Sequence, residues 1–203
     1  MKNQIIDAIK NRRSIRNFKN KKIEEEKINE IIDAGRYAPS AEDRQPWKFI
    51  VISDKKLILE LSNKVKNEIQ GVLKKRFIKK YSYPELKDER LTQFMYLMSV
   101  SKEDRIFYNA PLLVLIVCKD EMFNDVSCAC CAENMMLAAH SLDIGSCWIG
   151  FANFLGLDKQ TIKDIGVPEN HHISVALIFG YPEEKKSRAS YRKMGSTVIN
   201  RIK

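Results

Sequence analysis

Residues 112–118, LLVLIVC, are apolar at every position. A strand with one wet face alternates apolar and polar side chains, so an unbroken run fits a strand covered on both faces. ISVALIFG at 173–180 makes the same demand. Two shorter stretches, KFIVI at 48–52 and SCWIG at 146–150, have the β-branched and aromatic content of strands. Between these lie helical patterns. Ile5, Ile6 and Ile9 give a short helix over 3–11, and Ile28, Ile31, Ile32 and Gly35 line one side of a helix over 24–37. The spacing of Leu57, Ile58, Leu61, Val65, Ile69 and Val72 predicts a long helix from 55 to about 80. A nearly all-apolar stretch at 127–142 reads as a buried central helix ended by a turn at Gly145, and 158–166 as a short helix capped by Gly166. Residues 81–107 suit a further helix or a mobile flap. The irregular alternation of helices and strands favours an α+β fold over a repeating βαβ progression.

A chain of 203 residues, 44% apolar and 30% charged, is expected to form one domain over 1–203. It has no apolar stretch that could span a bilayer, and MKNQIIDAIKNRR lacks the apolar core of a signal peptide. Five cysteines, three of them crowded at Cys128, Cys130 and Cys131, do not resemble a secreted disulfide framework. A reducing, cytoplasmic setting is expected.

The net charge of +9 is concentrated at the two ends. Residues 1–22 carry eight basic residues, among them Arg12, Arg13 and Arg16, against the single acid Asp7, and residues 185–203 carry seven against none. Brought together, two such ends would form a site for an anion. The basic run KKRFIKK at 74–80 continues a helical pattern and reads as its wet face. Aromatic residues do not interleave with the basic clusters as nucleic-acid stacking would require, so no nucleic-acid partner is expected.

Several chemistries lack their parts. The eight glycines form neither G-x-G-x-x-G nor a P-loop, and H-E-x-x-H is absent. His140, His171 and His172 are the only histidines. His171 and His172 read as a solvated loop, and no metal site is expected. Cys128 and Cys131 form a C-x-x-C at a helix start, where the dipole would lower a thiol pKa. Small-residue packing inside a buried helix is the competing reading of that pair.

Three segments remain: RRS-x-R at 12–16, APSAEDRQPW at 38–47, and GSCWIG at 145–150 followed by FGYP at 179–182 and the basic tail. In this order, and with AENMMLAAHSLDIGSCWIG at 132–150, the chain resembles the FMN-dependent nitroreductase family over nearly its whole length. The resemblance implies a central mixed sheet surrounded by helices, and a homodimer with flavin at the subunit interface. It also implies a C-terminal extension embracing the partner. Arg12, Arg13, Ser14 and Arg16 would then reach the flavin's phosphate, ribityl chain and pyrimidine edge, where guanidinium groups give paired hydrogen bonds that lysine cannot. Arg192, or Arg188, would add a basic contact from the tail. Pro39, Ser40 and Ala41 would line the ring from the other subunit, with Gln45, Pro46 and Trp47 fixing the turn into the strand. Asp43 stands where the family commonly has Asn. Cys147, Trp148, Ile149 and Gly150 would run along the ring's opposite side and offer backbone N–H groups, Ile149 standing where some members carry a carboxylate.

The implied activity is two-stroke, ping-pong hydride transfer from NADH or NADPH through FMN to nitroaromatic, quinone or similar electron-poor acceptors. The cofactor carries the redox chemistry and no side-chain acid or nucleophile is required. Two alternatives stand beside it. One keeps the fold for another flavin reaction, reductive dehalogenation or flavin fragmentation. The other is a thiol redox protein using Cys128 and Cys131.

Overall fold

A computed structural model of the chain describes residues 3–75 and 84–184. The tail residues Arg188 and Arg192, the C-terminal extension and most of KKRFIKK lie outside the described residues. The sheet has four strands, β1 (Lys48–Ile52), β2 (Leu112–Lys119), β3 (Gly145–Trp148) and β4 (His171–Gly180), in the order β1-β2-β4-β3. Neighbouring strands are antiparallel, and the parallel pairing among the described residues is an isolated bridge between Ser14 and Ser146.

The central strand β2 behaves as its sequence demands. Leu113, Leu115 and Val117 share one apolar cluster with Ala176 and Ile178 of β4. That cluster is completed by Ile58, Leu61, Val65 and Ile69 of α3 (Lys55–Lys74), Met95 of α4 (Glu89–Val100), and Ala152 and Leu155 of a 3₁₀ segment (Gly150–Leu157). On the opposite face, Leu112, Val114, Ile116 and Cys118 join Val175, Leu177 and Phe179. Ile28 and Ile31 of α2 (Glu25–Arg36) and Cys131 and Met135 of α5 (Asn124–Ser141) cover them. Seven consecutive β2 residues are thus dry because each face meets its own helical layer.

The short N-terminal helix α1 (Gln4–Asn11) buries none of its residues, and Ile5, Ile6 and Ile9 point into solvent. Helix α5 begins at Asn124, three residues before the expected start, because Phe123 turns the chain through a left-handed φ of 68°. Its other end is closed by Asp143, not by Gly145. Asp143 (φ 59°) takes the left-handed position, its N–H bonds the His140 carbonyl, and the Ile144 N–H bonds that of Ala139. Within the ambiguous stretch 81–107, Glu89–Val100 is helical. The following loop is organised by buried Asp104, whose carboxylate accepts hydrogen bonds from the Ser62 hydroxyl (2.6 Å) and from the N–H groups of Ile106, Phe107 and Asn109.

Helix α6 (Lys159–Asp164) is short, so its caps matter. Asp158 accepts from the Thr161 N–H (3.0 Å) and hydroxyl, and Lys64 Nζ lies 3.3 Å away. The Thr161 hydroxyl, then its N–H, and the Lys64 charge hold the Asp158 carboxyl at about 2. Because the folded-state pKa is depressed, this stabilisation is present at neutral pH and is lost as pH falls from the ordinary aspartate range through about 2. Asp158→Ala is expected to cost about 1 kcal/mol at pH 7. In thermal unfolding, the gap between variant and parent should narrow on acidification; a gap that widens would contradict the cap.

Candidate functional site

The segment after α1 lies across the ends of two strands. Ser14 pairs with Ser146 of β3, the Ile15 N–H donates to the Ser146 carbonyl (2.9 Å), and Phe18 bridges Pro182 beyond β4. Lys19 N–H donates to Tyr181 O (2.8 Å), and Glu183 N–H returns to Asn17 O (3.1 Å). This crossing needs backbone without side chains beneath it. Gly145 and Gly180 are direct cross-strand partners. A Cβ on Gly145 would stand 2.8 Å from Ile15 Cβ, and one on Gly180 2.7 Å from the Phe18 ring. The first and third sequence segments are therefore one structural unit, and Gly145 serves close approach instead of ending a helix.

Beside the crossing is a cavity of about 580 Å³ lined by Arg12, Arg13, Lys19 and Lys21, with Gly145, Ser146 and Tyr181 and the acids Asp143 and Glu183. Two of its polar atoms, Arg12 Nε and Ser146 Oγ, are buried without a hydrogen-bond partner among the described residues. Arg12 Nε lies 3.5 Å from Glu133 of α5. Arg13 Nη1 donates to the carbonyls of Lys10 (2.6 Å) and Arg12 (2.8 Å), which closes the end of α1 and fixes the guanidinium. The cavity's aromatic wall is also fixed. Tyr181 donates its O–H to Glu24, accepts from Lys27 Nζ (2.9 Å) and carries the Lys21 ammonium 4.2 Å above its ring. The Tyr181 hydrogen bond, a backbone N–H and Lys21 hold the Glu24 carboxyl at about 2, so it stays ionised.

Arg16 lies outside the lining, its guanidinium 5.8 Å from the centre of the Tyr108 ring. Burial raises the Tyr108 phenol above its usual range against the lowering effect of Arg16. Tyr108 belongs to the loop held by Asp104 and has a left-handed φ of 57°. Nothing in the local sequence marked it. Along β3, an edge strand, the four expected residues divide. Trp148 is exposed, and alternation places its backbone polar groups on the same free edge as those of Ser146. Gly150 is also exposed. By contrast, the Ile149 N–H is committed to the Ala176 carbonyl (2.9 Å), and the Ile149 and Cys147 side chains are buried in the core. Ile149 therefore shapes the edge and cannot offer the amide expected of it.

The second segment sits elsewhere. Ala41 N–H donates to Ser127 Oγ (3.3 Å) and Arg44 Nη1 to the Met122 carbonyl (3.2 Å), at the N-terminal end of α5. Its internal bonds run from Gln45 N–H to Ser40 Oγ (3.1 Å) and from Gln45 Nε2 to Asp43 Oδ1 (2.9 Å). Glu42, Asp43 and Gln45 all have left-handed φ, a conformation costly for non-glycine residues that these bonds maintain. Pro39 is exposed, while Trp47 is core. The cavity lies against the other end of α5, at His140 and Ile144. Thirteen helical residues separate Ser127 from His140, about 20 Å of rise. Arg12 meets α5 nearer its middle, at Glu133, and Pro39, Ser40, Ala41 and Asp43 are not among the residues that line the cavity.

The C-x-x-C pair is not a reactive dithiol. Cys128 and Cys131 are fully buried in the α2–α5 layer, and none of the five cysteines is in a disulfide. Burial raises the Cys128 thiol far above its ordinary range and pushes that of Cys131 up to about 12. Both remain protonated and serve packing.

Fold and site together define an α+β protein whose sheet end presents a cavity lined by arginines and lysines beside the edge strand β3. The family model of the nitroreductase family matches residues 9–181, and the chain belongs to that family. A crystal structure of a nitroreductase with bound FMN from Bacteroides fragilis superimposes with a TM-score of 0.77 at 27% identity, covering 100% of both chains. A Methanothermobacter thermautotrophicus protein assigned as an NADH dehydrogenase/NAD(P)H nitroreductase is 27% identical over 90% of this chain and 80% of its own length. An iodotyrosine deiodinase of Thermotoga neapolitana is 24% identical over 91% of each.

Gly145→Ala is expected to push Ile15 off the strand ends and destabilise the protein by about 1–3 kcal/mol. Gly156→Ala, where a Cβ meets nothing within 4 Å, is the control. Equal melting temperatures for the two variants would contradict the close-approach role.

Proposed function

We propose that the chain is an FMN-dependent NAD(P)H oxidoreductase acting on nitroaromatic, quinone or similar electron-poor acceptors as a homodimer. The observation that carries this reading is the cavity itself: two arginines converge on it, and buried Arg12 Nε and Ser146 Oγ make no hydrogen bond among the described residues, Arg12 Nε having only the 3.5 Å ion pair with Glu133. That donor set suits a phosphorylated, hydrogen-bonding ligand. Arg12 and Arg13 would hold the phosphate, Ser14 and Ser146 the polar chain beyond it, and Arg16, Trp148 and Gly150 the ring. FMN, when bound, supplies hydride acceptance and redelivery, chemistry no side chain here provides. The protein's part is to fix orientation, exclude water and place positive charge near the ring through Arg16.

The composition of the cavity lining supports the homodimer. Residues 39–43 do not line their own chain's cavity, and in the dimer they would cover a second copy's ring. Exposed apolar surface is available for such a contact: Ile5, Ile6 and Ile9 on α1, Tyr37 after α2, and Met122, Phe123 and Val126 around the start of α5. Asp43 would then bring a carboxylate toward the partner's ring, an acceptor-only group that favours neutral or electron-poor ligands there. A second reading keeps the site and changes the acceptor to an iodinated tyrosine. It is favoured by the deiodinase likeness over nearly the whole chain.

Purified protein should be yellow and should bleach anaerobically with NADH or NADPH, then recover its colour on addition of a nitroaromatic or quinone. Recovery with iodotyrosine alone would favour the second reading. Arg12→Ala with Arg13→Ala should weaken FMN binding by at least about 10-fold, for the loss of two charge-assisted hydrogen bonds. Riboflavin binding should be far less affected. Equal losses for the two flavins would contradict the phosphate assignment.

A further inference from the structure

At the other end of β4, eight residues or about 26 Å of strand from Gly180, three metal-ligating side chains from distant parts of the chain meet. Cys118 of β2 and His172 of β4 are direct cross-strand partners. Asp125 reaches them from the first turn of α5. His172 Nε2 is 2.9 Å from Asp125 Oδ1, Cys118 Sγ is 3.8 Å from the same oxygen, and one ligand atom from each lies within 4.8 Å of the others.

The strand pairing explains why they share a face. Ile116 pairs with Val175 and Val117 with Ile173, so Ser174 is an extra residue in a bulge. Ile173 belongs to the cluster under α3, whereas Cys118 and Val175 belong to the layer under α5. His172 and Ser174, which flank Ile173, therefore turn toward α5 with Cys118. The bulge places two polar side chains on a face that is otherwise apolar.

His172 Nδ1 is buried with no hydrogen-bond partner among the described residues, and the buried Ser174 hydroxyl faces Asp125 and Cys118. The Cys118 side chain is itself fully buried, while His172 and Asp125 keep a solvent-facing side. We infer that Cys118, Asp125 and His172 form a binding site for one divalent ion of the zinc class, with its remaining coordination position open to water. Thiolate, imidazole and carboxylate together select zinc-like ions over magnesium or calcium, which prefer oxygen alone. Bonds of 2.0–2.3 Å around a tetrahedral ion put its ligand atoms about 3.3–3.7 Å apart. The contacts at 2.9 and 3.8 Å straddle that range. Ser174 is placed to support the thiolate with its hydroxyl, as outer-shell partners do. The bound ion would join β2, β4 and the start of α5, the helix end that also anchors Ala41 through Ser127.

This site is independent of flavin and of the reading given above. Full-length protein, stripped with a chelator and dialysed, is titrated with cobalt(II) and with zinc(II). The expected result is one equivalent per chain, a thiolate-to-cobalt charge-transfer band that zinc abolishes, and a raised melting temperature with zinc. Cys118→Ser should remove the band. His172→Ala, at a partly exposed position, should weaken zinc binding by about 100-fold or more, beyond what loss of an outer-shell partner costs. His171→Ala should leave binding intact. Absence of stoichiometric binding, binding without the thiolate band, or binding unchanged in His172→Ala would overturn the site and leave His172 and Asp125 as a hydrogen-bonded pair.

Discussion

The architecture of the candidate site depends on one backbone contact, the Ile15 N–H on the Ser146 carbonyl, made where a peptide strand can touch a sheet without side chains between. Gly145 and Gly180, paired across β3 and β4, create that opening, and Ile15 and Phe18 fill it. Arginines 12 and 13 are thereby fixed at the sheet end rather than waving on a helix terminus. Their charge is held over a cavity whose acids, Asp143 and Glu183, are fewer than its cations. Fixed, partly buried guanidinium groups discriminate among anions in a way that mobile surface lysines do not.

Helix α5 makes the arrangement asymmetric. Its C-terminal end borders the cavity and its N-terminal end holds the strained 39–47 turn. In the proposed dimer this buried helix acts as a spacer between the cavity and the 39–47 turn. The isoleucines of α1 and the apolar residues at the start of α5 fit the same dimer, because they are exposed among the described residues. The departures at Asp43 and Ile149 fall in the second and third sequence segments. The Asp43 carboxylate is held by Gln45, and the Ile149 side chain is core, so neither departure disturbs the backbone frame.

Much of the fold was legible in the sequence because its signals are local or periodic. The unbroken apolar run of β2, the helical spacing of α3 and the Gly166 stop each reflect forces acting within one element. Non-local features were not legible. Asp104 was one charge among many until the loop folded around it to seat Tyr108. Glycine is the usual left-handed residue, so the sequence points to Gly145 as the helix end, whereas Asp143 takes that position and leaves Gly145 for the crossing. His172 read as loop because the bulge that turns it toward Cys118 is a property of strand pairing, not of spacing. The thiol pair failed for the opposite reason: a local motif was present, but tertiary burial removed its reactivity.

In the proposed dimer, each site is assembled from the arginine segment of one copy and the 39–47 turn of another. Co-expression of two differently tagged chains tests it directly, one carrying Arg12→Ala and Arg13→Ala, the other carrying substitutions at Pro39 and Ser40 that abolish flavin retention by themselves. The hybrid isolated by both tags would contain one doubly damaged site and one intact site. The account predicts that it retains one FMN per pair of chains, with about half the parental turnover. A hybrid as colourless as either parent variant would contradict it, because both segments would then serve a site within the same chain.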